Sequence, residues 1–149
     1  MNHLRDHVSV ARSVDEAKTR LDAFLTSLRG KDGVARMRLR VPIIADGYQL
    51  SIDREVCVAA ERARDEANLN DLIHITWHPE GSVVFPIFKG TLVVWGEDDP
   101  KVSFIELDGG YKPPFGAAGQ AFDAVIGHRI AEQTARQLLN DLKAAVERP

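Results

Sequence analysis

Cysteine is nearly absent from this sequence, since Cys57 is the only one among 149 residues. A lone cysteine excludes an internal disulfide, so a reducing compartment is the simpler expectation. The segment 1–6 has no apolar stretch of the signal-peptide kind, and no window approaches the apolar length of a membrane span. We therefore expect a cytoplasmic protein that does not insert into membranes.

A basic surplus and nucleotide-binding motifs are also lacking. The net charge is −3, whereas proteins that bind nucleic acid usually carry a basic surface, so we expect no nucleic-acid partner. The sequence has no GxGxxG or P-loop pattern and no serine in a nucleophile-elbow context. We therefore set aside hydrolase, kinase and dinucleotide-binding functions and expect no cofactor. The apolar fraction of 44% and the charged fraction of 28% are ordinary for a globular protein, and the length suits one domain over residues 1–149.

The N-terminal part predicts a short strand followed by a helix. Val8 and Val10 alternate with polar neighbours, as in a half-buried strand. Ser13 and Glu16 have the spacing of a capping box, in which the serine hydroxyl accepts a backbone N–H and the glutamate reaches back. Apolar residues then recur every three or four positions, which predicts an amphipathic helix over 13–29.

A hairpin follows, because the apolar period changes to two from Val34 onwards. Two registers are compatible with the turn residues. A loop at 46–47 places Arg40 opposite Asp53, whereas a loop at 45–46 places Arg38 opposite Asp53. Either register aligns opposite charges on one solvated face, which contributes a few tenths to about 1 kcal/mol per pair.

The middle of the chain predicts three further strands. The segment 57–71 is ambiguous, and we interpret it as a strand end followed by a loop or one helical turn. A strand is predicted over 72–78, with His74 and His78 on its polar outer face. These histidines would lie ~13 Å apart along a strand, too far to share an ion, and no ligand set completes the pair, so we expect no metal site. Two more strands are predicted within 83–95 and over 102–107.

The C-terminal part predicts one long amphipathic helix over 116–146, which the stretch from Gly109 to Gly116 leads into. In its N-terminal half the inner face carries small residues (Gly127, Ala131 and Ala135). In its C-terminal half the same face carries the larger Leu138, Leu142 and Val146. His128 is the only histidine on this face.

Two motifs resemble those of a known superfamily. Phe85-Pro86-x-Phe88-x-Gly90-x-Leu92 is followed by Leu107-x-Gly109-x-Tyr111-x-Pro113-Pro114-x-Gly116. With the order of the elements, they resemble the SRPBCC superfamily, which includes START-like lipid-binding domains, polyketide cyclase-like proteins and the birch-pollen allergen family. The resemblance implies an α+β helix-grip fold: a curved antiparallel β-sheet wrapped around a long C-terminal helix, with an N-terminal helix between strands 1 and 2. It also implies a cavity between sheet and helix for an apolar small molecule.

The small-residue half of the helix and this resemblance predict a ligand site near His128 and Tyr111. Arg54 breaks the alternation of its strand and is predicted to point inward, where a guanidinium could receive an anionic or carbonyl group. The candidate ligand-binding residues are Arg54, Trp77, Phe88, Tyr111, Phe122, His128 and Ala131. The alternative is that large sheet residues such as Trp77, Phe85 and Phe88 fill the space themselves.

Three functions stay open at this point. The first is binding of a small apolar or aromatic molecule by a monomer or homodimer. The second is a cyclase- or aromatase-like enzyme that uses His128, Tyr111 or Arg54 for proton transfer. The third is a partner-binding module that uses the outer face of the sheet or the end of the helix. No catalytic residue is assigned from the sequence.

Overall fold

The computed structural model describes the backbone of residues 2–45, 48–65, 70–79, 87–112 and 124–149, and the side chains of 2–40, 55–63, 71–78, 87–112 and 128–149. In chain order, the elements of these parts are β1 (Asn2–Val10), α1 (Val14–Ser27), β2 (Ala35–Ala45), β3 (Tyr48–Asp65), β4 (Asn70–Pro79), β5 (Ile87–Gly96), β6 (Ser103–Lys112) and α2 (Ala124–Glu147). The strands form one antiparallel sheet in the order β1-β6-β5-β4-β3-β2.

The sheet curves around α2. This helix contacts β1 and β2, the two edge strands of the sheet, which a flat sheet of this width would not allow. Polar contacts fix the alignment of α2 with β1, because Arg136 pairs with Asp6 at 2.6 Å and Lys143 donates to the Ser9 carbonyl at 2.6 Å. Arg12, after β1, donates to the carbonyl of Glu147 at the C-terminal end of α2. The helix therefore runs parallel to β1, with its N-terminal half toward Asn2.

Helix α1 begins where the sequence predicts. Ser13 is its N-cap, and its hydroxyl accepts from the Glu16 N–H at 3.2 Å. The Glu16 carboxylate faces Arg20 at 3.3 Å, so the reciprocal half of the predicted capping box is replaced by an ion pair. Ala17, Leu21 and Leu25 are buried against the concave face of the sheet.

The β2–β3 hairpin has the first of the two predicted registers. Arg40 pairs with Asp53 and Arg38 with Glu55 across the ladder, which confirms the loop at 46–47. Met37 and Leu39 are buried while Arg38 and Arg40 are exposed. In the part of β2 whose side chains are described, one face is therefore solvated, as predicted.

The interpretation of segment 57–71 is wrong. β3 continues through Cys57 to Asp65 as one strand of 18 residues, and β4 begins at Asn70. Residues 57–65 pair one by one with His78 to Asn70. The local preference of alanine and glutamate for helix is weak, and the hydrogen-bond ladder with β4 outweighs it.

The last strand is longer than the sequence predicts. β6 runs five residues beyond Leu107, to Lys112, directly before Pro113. Gly109 belongs to this strand and faces Gly90 of β5. A Cβ at Gly109 would lie 2.4 Å from the Lys89 carbonyl oxygen, so only glycine allows the strands to approach this closely. Gly109 is therefore part of the sheet and not of a turn before the helix.

The predicted buried face of α2 is confirmed from Ala131 onwards, since Ala131, Ala135, Leu138, Leu142 and Val146 are buried. Ile130, Thr134 and Leu139 are buried as well, which makes the face broader than expected. The predicted helix residues 116–123 lie outside the described part of the chain. No helix in the described part is long and apolar enough to cross a membrane.

Candidate ligand-binding site

Three aromatic residues form a row across the concave face of the sheet. Trp77 on β4 pairs with Phe88 on β5, and Phe88 pairs with Tyr111 on β6. We call these three residues the aromatic row. Their exposed fractions are 1%, 0% and 1%. The register thus brings together three candidate residues that are up to 34 positions apart in the sequence.

The first two rings of the aromatic row are stacked. The ring centroids of Trp77 and Phe88 lie 4.2 Å apart, and the planes differ by 13°. Gly90 and Gly109 leave room for this arrangement, since a Cβ at either glycine would approach Phe88 Cζ to 2.7 or 2.8 Å. The Phe88 ring therefore extends over the glycine pair. The sequence signal for this packing is Phe88-x-Gly90 followed by Gly109-x-Tyr111.

Tyr111 is joined to α2 by a hydrogen bond. Its hydroxyl oxygen lies 2.5 Å from Nδ1 of His128, and Nε2 of His128 lies 2.7 Å from Oε1 of Glu132. In the neutral tautomer that satisfies both contacts, the phenol donates to Nδ1 and the Nε2–H donates to the carboxylate. A hydrogen-bonded chain thus links the concave face to the helix.

This chain runs from the interior to the solvent. Tyr111 is buried, whereas the side chains of His128 and Glu132 are 47% and 55% exposed. The pKa of the Tyr111 phenol is raised, chiefly by burial. The hydrogen bond with the Asn2 side chain lowers this pKa by a smaller amount, and the negative charge of Glu132 raises it. The phenol is therefore held in its protonated form, able to donate a hydrogen bond.

The predicted inward position of His128 needs a correction. The imidazole lies at the boundary between the concave face and the solvent, because it bridges Tyr111 on one side and Glu132 on the other. Asn2 and Glu132 were missed as site residues. The four-residue spacing of His128 and Glu132 on a helix is the signal that would have indicated the second contact.

Trp77 has an unsatisfied polar atom. Its Nε1–H is buried, and no side chain or backbone group of the described residues accepts a hydrogen bond from it. The ring lies on the interior side of a central strand, paired with β3 on one side and with β5 on the other. A buried donor without a partner is uncommon in folded proteins and calls for an explanation.

The remaining candidate residues are only partly described. Ala131 is fully buried on α2, three residues after His128. Arg54 pairs with Leu39 through the backbone ladder, but its side chain lies outside the described part, as does Phe122. The predicted cavity at the N-terminal half of α2 borders these same segments and stays a prediction.

A region of open space lies between α1 and the sheet. A cleft of about 310 Å³ is lined on the helix side by Leu25 and on the sheet side by Ala35, Val58, Ala60 and Ile73, among others. Val58 is the register neighbour of Trp77, so this cleft borders the row on its β3 side. The ion pair of Arg62 with Asp22, at 3.7 Å, lies at its edge.

The outer face of β4 is polar, as predicted. His74 and His78 are exposed, while Ile75 and Trp77 are buried. Among the residues that the structure describes, no three His, Cys, Asp or Glu side chains are grouped so that they could hold a metal ion. Tyr111 and His128 are candidate residues whose polar side chains meet at the concave face.

Comparison with known proteins defines the fold. No protein-family model and no curated protein match this sequence. Among solved structures, a START superfamily protein from Mycobacterium smegmatis aligns with a TM-score of 0.51 at 16% identity, over 99% of this chain and 98% of that chain. The chain has the START-like helix-grip fold. This confirms the predicted fold class and, at the level of the fold, the resemblance carried by the two motifs.

Two other solved structures align with nearly the whole chain. A conserved protein from Geobacillus kaustophilus aligns with a TM-score of 0.53 at 10% identity, covering 99% of this chain and 93% of that chain. The Zhui aromatase/cyclase from Streptomyces sp. R1128 aligns with a TM-score of 0.48 at 14% identity, covering 97% of this chain and 91% of that chain. At such identities, structural similarity speaks for the fold alone.

Proposed function

We propose that this helix-grip protein binds a small apolar or aromatic molecule between the concave face of the sheet and the N-terminal half of α2. The observation that carries the proposal is the aromatic row with its unpaired Trp77 N–H. Flat, stacked rings offer a large apolar contact surface, and a few polar groups at its ends would orient a guest. Tyr111 supplies one such group.

Affinity would come mainly from apolar surface removed from water. This term contributes about 25 cal/mol per Å² before the costs of association are subtracted. The small side chain of Ala131, one helical turn from His128, supports a position beside Tyr111. Larger buried residues, Leu138 and Leu142, fill the C-terminal half of the helix face.

Two measurements test the proposal. Native mass spectrometry of freshly purified protein should detect a co-purified small molecule, and the apolar dye N-phenyl-1-naphthylamine should gain fluorescence on binding. The variant Ala131→Leu should weaken dye binding roughly tenfold or more, because the added methyl groups occupy the proposed space. Ala144→Leu is the matched control, since Ala144 is exposed on the same helix. A protein with no co-purified molecule and no dye binding would contradict the proposal.

A second candidate function is acid–base catalysis on a bound carbonyl compound. The hydrogen-bonded chain Tyr111–His128–Glu132 favours it, because a phenol linked to an imidazole can donate a proton to a carbonyl oxygen and recover it from solvent. The reaction class would be enolisation: the Tyr111 phenol donates a proton to the carbonyl oxygen while a solvent water takes the α-proton, and the reverse of both transfers returns a solvent proton to carbon.

Deuterium exchange tests this second function. The α-protons of 2-acetylnaphthalene in D₂O should exchange faster with wild-type protein than with Tyr111→Phe, as followed by NMR. Equal exchange rates with the two proteins and in buffer would remove the catalytic assignment and leave the binding function unaffected.

A further inference from the structure

The Trp77 indole is the member of the aromatic row whose polar atom the described residues leave unsatisfied. Its Nε1–H is buried and has no acceptor among the described residues, and Trp77 is 1% exposed. An unmade hydrogen bond of this kind disfavours the folded state and calls for an explanation.

Within the described part of the chain, the neighbours of the indole offer no hydrogen-bond acceptor. Phe88 covers one of its faces, and its ladder neighbour on the other strand is Val58. Residues 73–77 of β4 pair with β3 on one side and with β5 on the other, so this part of the strand is central in the sheet. The described residues therefore leave this donor without a hydrogen bond.

We propose that the ligand carries a neutral hydrogen-bond acceptor, a carbonyl or ether oxygen, which accepts from Trp77 Nε1–H. The inference rests on the proposed binding function and specifies its ligand class. Trp77 and Tyr111 are two strands apart, roughly 10 Å at the usual spacing. A flat molecule of about two fused rings therefore spans the row from the acceptor at Trp77 to the phenol of Tyr111.

A pair of probes of equal shape isolates this hydrogen bond. In 2-acetylnaphthalene the naphthalene carries a methyl ketone, and in 2-isopropenylnaphthalene a CH₂ group replaces the carbonyl oxygen. The Kd of each probe would be measured by titration with wild-type protein, with Trp77→Phe and with Trp95→Phe. Trp77→Phe keeps a stackable ring but removes the donor together with part of the ring volume. The two probes have the same shape, so the lost volume affects both and their affinity ratio reports the donor. Trp95 is the other tryptophan of the chain and stacks on Phe104, away from the aromatic row, so Trp95→Phe is the matched control.

We expect Trp77→Phe to lose the preference of the wild-type protein for the ketone over the alkene. The affinity ratio of ketone to alkene should be about tenfold higher in wild type than in Trp77→Phe, as one well-placed hydrogen bond to a desolvated donor gives. Trp95→Phe should keep the wild-type ratio. The wild-type protein alone gives a second criterion. Its Kd for the ketone should be no higher than its Kd for the alkene, because an apolar pocket without a hydrogen-bond donor would favour the alkene.

Each other outcome is decisive. The same ratio in wild type and Trp77→Phe, or a clear wild-type preference for the alkene, would overturn the inference while the binding function stands. Binding of neither probe would count against both the inference and the proposed function.

Discussion

Two buried side chains carry polar atoms for which the described residues supply no partner, Trp77 Nε1 and Ser103 Oγ. Their positions differ. Ser103 pairs with Gly96 and Val10 across the sheet. The start of α1 packs on this end of the sheet, because a Cβ at Gly96 would lie 2.7 Å from Val14. Trp77 lies in the aromatic row. We therefore assign a ligand-directed role to the indole and none to the serine.

Ser103→Ala should leave the free energy of unfolding unchanged or raise it by up to about 1 kcal/mol, because it removes a buried hydroxyl that forms no hydrogen bond to the described residues. Denaturant unfolding would measure the change. Thr134→Val is the contrast: the buried Thr134 hydroxyl donates to the Ile130 carbonyl at 2.6 Å, and its loss should cost about 1 kcal/mol. A clear destabilisation by Ser103→Ala would mean that the serine has a partner.

Asp141 provides a pH-dependent prediction. Burial raises the pKa of its carboxyl group, and the hydrogen bond from Gln137 at 2.8 Å lowers it by a smaller amount. Since the folded-state pKa exceeds the unfolded value, protonated Asp141 stabilises the fold at low pH, and this contribution is lost as pH rises through the folded pKa. Asp141→Asn should therefore be more stable than wild type at neutral pH.

The stability difference between wild type and Asp141→Asn should shrink as the pH falls toward the ordinary pKa of an aspartate, about 3.9. The amide oxygen can still accept from Gln137, so the hydrogen bond is retained. Unfolding curves at several pH values give the measurement. A difference that stays constant with pH would show that the charge of Asp141 is not the cause.

At the scale of elements, the pairing of β5 with β6 depends on Gly90 and Gly109. Gly109→Ala should destabilise the protein by about 2 kcal/mol or more, because the new Cβ meets backbone atoms at 2.4 and 2.6 Å that cannot move aside cheaply. Thermal unfolding would record the loss. Gly30→Ala is the control, since its nearest contact is the side-chain oxygen of Asp32 at 3.2 Å, and it should change stability only slightly.

The sequence predicts those elements whose local signals agree with their tertiary contacts. The α1 start and the register of Arg40 with Asp53 are confirmed because a serine cap and a two-residue turn act over a few positions. The second half of β3 was missed because its stability comes from β4, a partner that alanine-rich local sequence does not reveal. The single-domain assignment stays a prediction.

The candidate site was predictable in part. Alternation along the predicted strand 72–78 placed Trp77 opposite the polar outer face, and the two motifs supplied Phe88 and Tyr111. Their common row depends on three-dimensional register. The contact of Tyr111 with His128 joins a strand to a helix 17 positions later, which periodicity does not encode. The lack of a partner for the Trp77 N–H emerges only when all neighbouring strands are known.

At the scale of the whole molecule, the features that point to function lie on the concave face. Large apolar residues that are exposed in the described part are Val34 and Ile87. Two separate side chains do not form the contiguous patch that a partner-binding module would present. The concave face instead combines a buried aromatic row, an unpaired donor and a hydrogen-bonded route from Tyr111 to the solvent. This combination favours a small molecule over a protein partner.

The most direct test of the central claim follows the two tryptophan indoles by NMR. The chain has two tryptophans, so a ¹H–¹⁵N spectrum contains two indole N–H signals, which Trp77→Phe and Trp95→Phe assign. Addition of 2-acetylnaphthalene should shift the Trp77 Nε1–H proton to lower field, because a carbonyl oxygen then accepts from it, and should leave the Trp95 signal in place. An unchanged Trp77 signal at saturating probe, or a shift confined to Trp95, would contradict a ligand site on the concave face.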